Sequence, residues 1–70
     1  MYDYRSLRGL IKAKFNTQEA FAEALGVSLV TVSHKLNGKI GFSQGDVIKW
    51  SKLLGISPDE YGHYFFTQKV

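Results

Sequence analysis

The sequence contains no cysteine and a single proline among its 70 residues. Without cysteine the chain can form neither disulfide bonds nor thiolate metal sites, so its core must be held by packing alone, which suits a reducing cytosol. Low-complexity runs and internal repeats are also missing. Because a chain this short can bury only one core, we expect a single domain over residues 1–70.

Long apolar runs are missing as well. No stretch approaches the roughly 20 apolar residues that span a bilayer, and the opening Met1-Tyr2-Asp3-Tyr4 lacks the charged-then-apolar layout of a signal peptide. We therefore expect a cytoplasmic protein that does not contact a membrane.

Residues suited to catalysis or metal binding are few. The two histidines, His34 and His63, lie far apart, and no HExxH spacing is present. Ser33 precedes His34 directly, but neighbouring residues of a helix point in different directions and no third group orients them. The glycines after residue 37 lack the lysine-serine ending of a phosphate-binding loop. We expect no enzymatic activity, no metal and no cofactor.

The net charge of +3 is unevenly distributed. Residues 1–42 carry six basic and three acidic side chains, whereas residues 43–70 carry three of each. A polyanion would be attracted to the first part of the chain, although such a small surplus is common among proteins that never meet nucleic acid. Charge alone therefore leaves DNA binding open.

Apolar spacing and capping residues predict about five short helices. Leu7, Ile11 and Phe15 recur every four residues, which indicates an amphipathic first helix whose solvated face is basic. Thr17 and Ser28 are predicted caps of the second and third helices, and glycines after the apolar runs mark helix ends. The predicted helices cover about residues 3–15, 18–25, 29–37, a fourth after the cap Ser43 with Trp50 in its buried stripe, and a fifth after Ser57-Pro58.

The segment 63–70 is predicted to be a C-terminal tail. Tyr64, Phe65 and Phe66 follow one another and cannot all face one core. An apolar surplus at a terminus commonly contacts another subunit, so part of this segment is predicted to form a homodimer contact. A fraying part of the core is the alternative.

Two short helices joined by a glycine-containing turn, inside a bundle of about five, allow one helix to enter a DNA major groove. The segment QEAFAEALGVSLVTVSHKLNG, residues 18–38, resembles the helix-turn-helix of lambdoid phage repressors, Cro proteins and bacterial xenobiotic-response proteins. Gln18, Ala22, Gly26 and Val32 occupy the first, fifth, ninth and fifteenth places of that pattern.

The resemblance covers roughly residues 5–62. Within the family the chain is most similar to small switch regulators of phages that infect Gram-positive bacteria, of the Cro-like or modulator-of-repression type. It implies an all-α, lambda-repressor-like DNA-binding domain in a bacterial host cell. It also implies that Val27 and Val32 fill the wedge between the second and third helices.

The same resemblance assigns contacts with double-stranded DNA. Gln18 would bind a backbone phosphate at the start of the second helix. At Lys35 the family often has an apolar residue; here Leu36 would supply the packing, which leaves Lys35 to reach a phosphate. Leu29, Val30 and His34 would meet base edges. The complete set of residues expected to contact DNA or a partner is Gln18, Ser28, Leu29, Val30, Thr31, Ser33, His34, Lys35, Asn37 and Lys39.

Leu29 and Val30 depart from the family pattern, which commonly has polar residues there. Aliphatic side chains offer a base only apolar contact, chiefly to a thymine methyl. Two hypotheses follow. The first is a Cro-like transcriptional regulator of a phage lysis–lysogeny switch that binds DNA. The alternative is an antirepressor that uses the same surface to bind and inactivate a partner repressor protein. A structural role is a third.

Overall fold

The computed structural model describes residues 2–69. Within that range the chain forms five α-helices and no β-strand, apart from one isolated antiparallel bridge between Tyr2 and Gln68. The predicted all-α fold class is confirmed. No helix in the described part is long and apolar enough to cross a bilayer. The helices are α1 (Arg5–Phe15), α2 (Gln18–Leu25), α3 (Leu29–Leu36), α4 (Gln44–Leu54) and α5 (Tyr61–Phe65), the last preceded by a 3-10 turn at Pro58–Glu60.

Side-chain caps determine where α2, α3 and α4 begin. Thr17 Oγ1 accepts a hydrogen bond from the Ala20 amide at 3.0 Å, and Ser28 Oγ accepts one from the Thr31 amide at 3.2 Å. At α4 the bonds are reciprocal, because Ser43 Oγ accepts from the Asp46 amide while Asp46 Oδ2 accepts from the Ser43 amide. These bonds satisfy amides that have no partner inside the helix. The three caps predicted from the sequence are confirmed.

The core lies between α1, α2 and α4 and is closed by α5. Trp50, the only tryptophan, packs edge-on against Phe21 and Phe42 with ring centroids 4.8 Å away in each case. This confirms its predicted place in the core. Removal of a buried aromatic ring of this size costs about 3–5 kcal/mol. The buried apolar residues are Tyr4, Leu7, Ile11, Phe21, Ala22, Leu25, Val32, Leu36, Val47, Trp50, Leu54, Ile56 and Phe65.

The C-terminal aromatics divide between core and surface. Phe65 is 1% exposed and its ring centroid lies 5.1 Å from that of Phe42. The prediction that Phe65 contacts a second subunit is therefore not supported, because its ring is already buried within the chain. Tyr64 is half-buried and Phe66 is exposed. The segment expected as a tail also begins inside α5, and beyond it the Thr67 carbonyl accepts a hydrogen bond from the Asp3 amide at 2.7 Å.

Candidate functional site

The turn between α2 and α3 positions the candidate site. Gly26 has φ 79°, a left-handed conformation that strains any residue with a side chain, and its amide donates to the Ala22 carbonyl at 2.9 Å. The chain then extends through Ser28 and enters α3. Val32 and Leu36 are the buried residues of α3, whereas Leu29 and Val30 in its first turn are exposed.

Three aliphatic side chains lie exposed at the start of α3. Val27, Leu29 and Val30 are 39%, 42% and 60% exposed, and we call these three residues the apolar patch. The exposure of Leu29 and Val30 was predicted. Val27 and Val32 were both expected to fill the wedge between α2 and α3. Val32 is completely buried, as expected, whereas Val27 is too exposed to fill that space. Clustered apolar side chains on a protruding helix are typical of a surface that binds a partner.

Neutral polar groups border the apolar patch. The hydroxyls of Ser28 and Thr31 lie 3.0 Å apart and bond to each other, besides forming the cap of α3. Ser33 and His34 are half-buried on the same helix. The His34 carbonyl accepts hydrogen bonds from the Lys39 and Ile40 amides, which folds the following loop back onto α3.

Lys35 is bound within the chain and is not available to a phosphate. Its Nζ donates to Asp46 Oδ2 at 2.6 Å and to the Gly41 carbonyl at 3.2 Å, and its side chain is only 12% exposed. Nζ also lies 5.8 Å from the centre of the Phe42 ring. The predicted phosphate contact of Lys35 is therefore not supported, because reaching outward would leave the Asp46 carboxylate without its cation.

The Asp46 carboxylate responds to this environment. Burial raises its pKa, but the hydrogen bonds from Lys35 and Ser43 outweigh the burial, so the net pKa of Asp46 is lowered. The carboxylate thus holds two elements at once: it caps α4 and it neutralises the basic residue near the end of α3.

The C-terminal end of α3 has a second tether, which the sequence did not indicate. Arg8 Nη2 donates to the Leu36 carbonyl and to Asn37 Oδ1, each at 2.7 Å. Arg8 was expected on a solvated basic face of α1, because its spacing gives no sign of a contact with residues so distant in the chain. Asn37 Nδ2 in turn donates to Ser33 Oγ at 3.4 Å.

The start of α2 carries the remaining predicted contact. Gln18 is half-buried there, beside a shallow cleft that Arg8, Lys12 and Thr17 also line. A helix N-terminus favours an anion, so the phosphate contact of Gln18 stays a prediction. Lys39, the other predicted cation, is exposed in the loop after α3.

Two acids were overlooked when charge was counted over the whole N-terminal part. Glu19 and Glu23 are both exposed and lie one turn apart on α2. With Lys35 paired to Asp46, the exposed acidic and basic side chains of α2 and α3 are the carboxylates of Glu19 and Glu23. A count restricted to residues 18–36 gives two acids and one lysine, but only the structure shows that the lysine is paired.

The comparisons with known proteins give one family and one fold. The family model described as "Protein of unknown function (DUF739)" matches residues 1–68. No curated protein matches the chain. Among solved structures the chain is similar to the solution structure of the modulator of repression of the temperate bacteriophage TP901-1 from Lactococcus lactis. The two are 43% identical, with a TM-score of 0.85 over 99% of this chain and 93% of that one. Neither description names an enzymatic activity.

Proposed function

This chain belongs to the DUF739 family, and we propose that it modulates repression in a temperate phage by binding a repressor protein. It would act as a single helix-turn-helix domain in the cytoplasm of the bacterial host cell. The likeness to the modulator of repression from phage TP901-1 supports this antirepressor hypothesis over a Cro-like regulator.

The apolar patch is the observation that carries the proposal. A DNA-reading helix gains affinity from cations that neutralise phosphates and from polar groups that bond base edges. Instead, the exposed aliphatic residues here are Val27, which precedes the cap of α3, and Leu29 and Val30 in its first turn. Burying each of these partly exposed side chains against a protein contributes about 1 kcal/mol.

The charges of α2 and α3 favour the same kind of partner. Exposed Glu19 and Glu23 repel a phosphate backbone, whereas they complement a basic surface. The DNA-reading surface of a repressor is basic and must be open to solvent before it meets its operator. A partner seated there excludes DNA from the repressor, which accounts for loss of repression without any covalent chemistry.

The apolar patch alone does not account for a firm complex. Micromolar affinity corresponds to about 8 kcal/mol, well above the roughly 3 kcal/mol that three partly exposed aliphatic side chains contribute. Polar residues around the patch must supply the remainder, and Ser33, His34 and Asn37 on α3 and its C-terminal end are placed to do so. Their hydrogen bonds also give the complex its register.

Direct DNA binding is the second candidate. The cleft at the start of α2, with Lys12 and Gln18 beside the helix N-terminus, favours it. Such contacts position a protein on DNA without reading sequence. We therefore expect this binding to be weak, indiscriminate and strongly reduced by salt.

The test is a titration of the purified chain against the repressor encoded beside it and against that repressor's operator DNA, at two salt concentrations. We expect the native chain to bind the repressor, and Leu29→Ser combined with Val30→Ser to weaken that binding at least about tenfold. Ile48→Ser is the matched control, because Ile48 is an aliphatic residue of α4 with 48% exposure. Firm operator binding without a repressor complex would overturn the proposal.

A further inference from the structure

We propose that Arg8 is a positioning residue: it fixes the side-chain amide of Asn37 so that the C-terminal end of α3 offers a hydrogen-bond donor to an acceptor oxygen of the repressor. The inference rests on the proposed function, since it concerns the same helix. The proposed contact is polar and depends on orientation, and it acts in addition to the contacts made by the apolar patch.

The orientation of Asn37 follows from the chemistry of Arg8. A guanidinium carries only donors, so the Asn37 atom that faces it must be the amide oxygen. Arg8 Nη2 lies 2.7 Å from Asn37 Oδ1, well within hydrogen-bonding distance. If the amide were flipped, its NH2 group would face the guanidinium, and two hydrogen-bond donors would oppose each other. Arg8 therefore selects one of the two amide orientations.

The selected orientation leaves a donor for a partner. Asn37 Nδ2 carries two hydrogens, and the Ser33 hydroxyl, 3.4 Å away, accepts one of them through a long hydrogen bond. Asn37 is exposed, so the second hydrogen is accessible from solvent. Because the Ser33 hydroxyl acts as the acceptor, its own hydrogen is also left to donate. The side chains of Asn37 and Ser33 thus each keep a hydrogen to donate at the end of α3.

The surroundings have room for an acceptor. Arg8 and Asn37 both line an open cleft of about 310 Å³, whose walls also include Tyr2, Gly38 and Lys69. Among the described residues that line this cleft, the cations Arg5, Arg8 and Lys69 outnumber the one acid, Asp3, so the charge of the cleft favours a carbonyl or carboxylate oxygen over a donor group. The chemistry of the cleft therefore agrees with the orientation of the amide.

Arg8 also holds the backbone from which Asn37 projects. The Leu36 carbonyl lies in the last turn of α3, where carbonyls lack partners within the helix, and Arg8 Nη2 donates to it at 2.7 Å. A cation is favoured at that end by the helix dipole. Because the amide is already ordered in the free protein, complex formation loses less conformational freedom there.

Variants at Arg8 and Asn37 distinguish loss of the hydrogen-bond donor from loss of fold stability. Asn37→Asp keeps an acceptor oxygen for Arg8 but removes Nδ2, whereas Asn37→Ala removes both. Arg8→Met removes donation and keeps an aliphatic stem, and Arg8→Lys keeps a charged donor. Lys52→Met, at an exposed cation of α4 that takes no part in the proposed contacts, is the matched control. Each variant is measured for affinity to the repressor, for thermal unfolding followed by Trp50 fluorescence, and for the Asn37 side-chain NH2 resonances.

We expect Asn37→Asp to unfold at the native temperature or above it while repressor affinity falls about tenfold or more. Arg8→Met should shift the Asn37 NH2 resonances and weaken binding, and Arg8→Lys should restore part of both. Native affinity in Asn37→Asp would overturn the donor role, and unshifted resonances in Arg8→Met would overturn the positioning role. Failure of the native chain to bind the repressor would instead overturn the proposed function, and the resonances would still decide whether Arg8 orients Asn37.

Discussion

Lys35 on α3 and Asp46 on α4 form an ion pair, with Nζ 2.6 Å from Oδ2. The pair joins the end of the proposed partner-binding helix to the first turn of its neighbour, and Asp46 caps that same turn. A cation that was expected to reach a phosphate therefore serves the fold in this chain. The stability of the fold and the affinity for a partner can therefore be measured separately in variants of this pair.

Lys35→Met should lower stability without changing repressor affinity. Methionine keeps most of the aliphatic stem but leaves the partly buried Asp46 carboxylate without its cation, which costs about 1–2 kcal/mol. Denaturant unfolding followed by Trp50 fluorescence measures the loss, and titration with the repressor measures binding. Unchanged stability combined with weaker binding to repressor or DNA would show that Lys35 acts outward after all.

Asp46→Asn should lose stability in a pH-dependent manner. The folded-state pKa of Asp46 is lowered in spite of burial, so its carboxylate stabilises the fold fully above the ordinary aspartate value of 3.8 and loses that contribution as pH falls through the folded-state value. The difference in melting temperature between the native chain and Asp46→Asn should therefore be full at neutral pH and shrink in acid. Asp3, whose pKa is also lowered, is present in both proteins and cancels. A difference independent of pH would contradict this account.

Ser51→Ala should leave stability unchanged or raise it by up to about 1 kcal/mol. Ser51 is buried in α4, and within residues 2–69 its hydroxyl finds no hydrogen-bond partner. Alanine removes that unpaired group and is a better helix former. Ser43→Ala, the same substitution at the α4 cap, should instead cost about 1 kcal/mol. Urea unfolding of both variants compares the same substitution at two positions of one helix. A clear loss of stability in Ser51→Ala would contradict the prediction.

The predicted homodimer can be tested at two adjacent residues. Phe66 is 49% exposed, so Phe66→Ser should keep the native melting temperature, whereas Phe65→Ser should unfold the chain because it places a hydroxyl in the core. If Tyr64 and Phe66 contact a second copy, Phe66→Ser lowers the sedimentation-derived mass at high protein concentration. A native chain that stays monomeric at such concentrations rules out this dimer.

Local sequence patterns were sufficient to predict the helices and the all-α fold. The caps Thr17, Ser28 and Ser43 act through residues three positions away, so their signal is contained in a short window of sequence. The same holds for the buried stripe that includes Trp50. The first helix starts later than predicted because the Asp3 carboxylate accepts the Arg5 amide at 2.9 Å, which keeps Asp3 outside α1.

The contacts of the site were not local, and the sequence predicted them less well. Exposure of Leu29 and Val30 followed from helix periodicity. The Asp46 partner of Lys35 is 11 positions away and the partners of Arg8 are 28 and 29 positions away, and no short pattern connects them. The sequence left open which of the three C-terminal aromatics is buried. Consecutive residues of a one-turn helix point to different sides, and only the packed structure shows that Phe65 meets Phe42.

Both tethers of α3 act at one end of the helix. Arg8 and Lys35 hold its C-terminal half, while the apolar patch begins at the other end, where the Ser28 cap lies. Substitutions at Leu29 and Val30 can therefore change which partner is recognised with little effect on folding. During evolution, substitutions in the first turn of α3 can therefore adapt the protein to changes in its repressor, whereas the last turn of α3 is constrained by the stability of the fold.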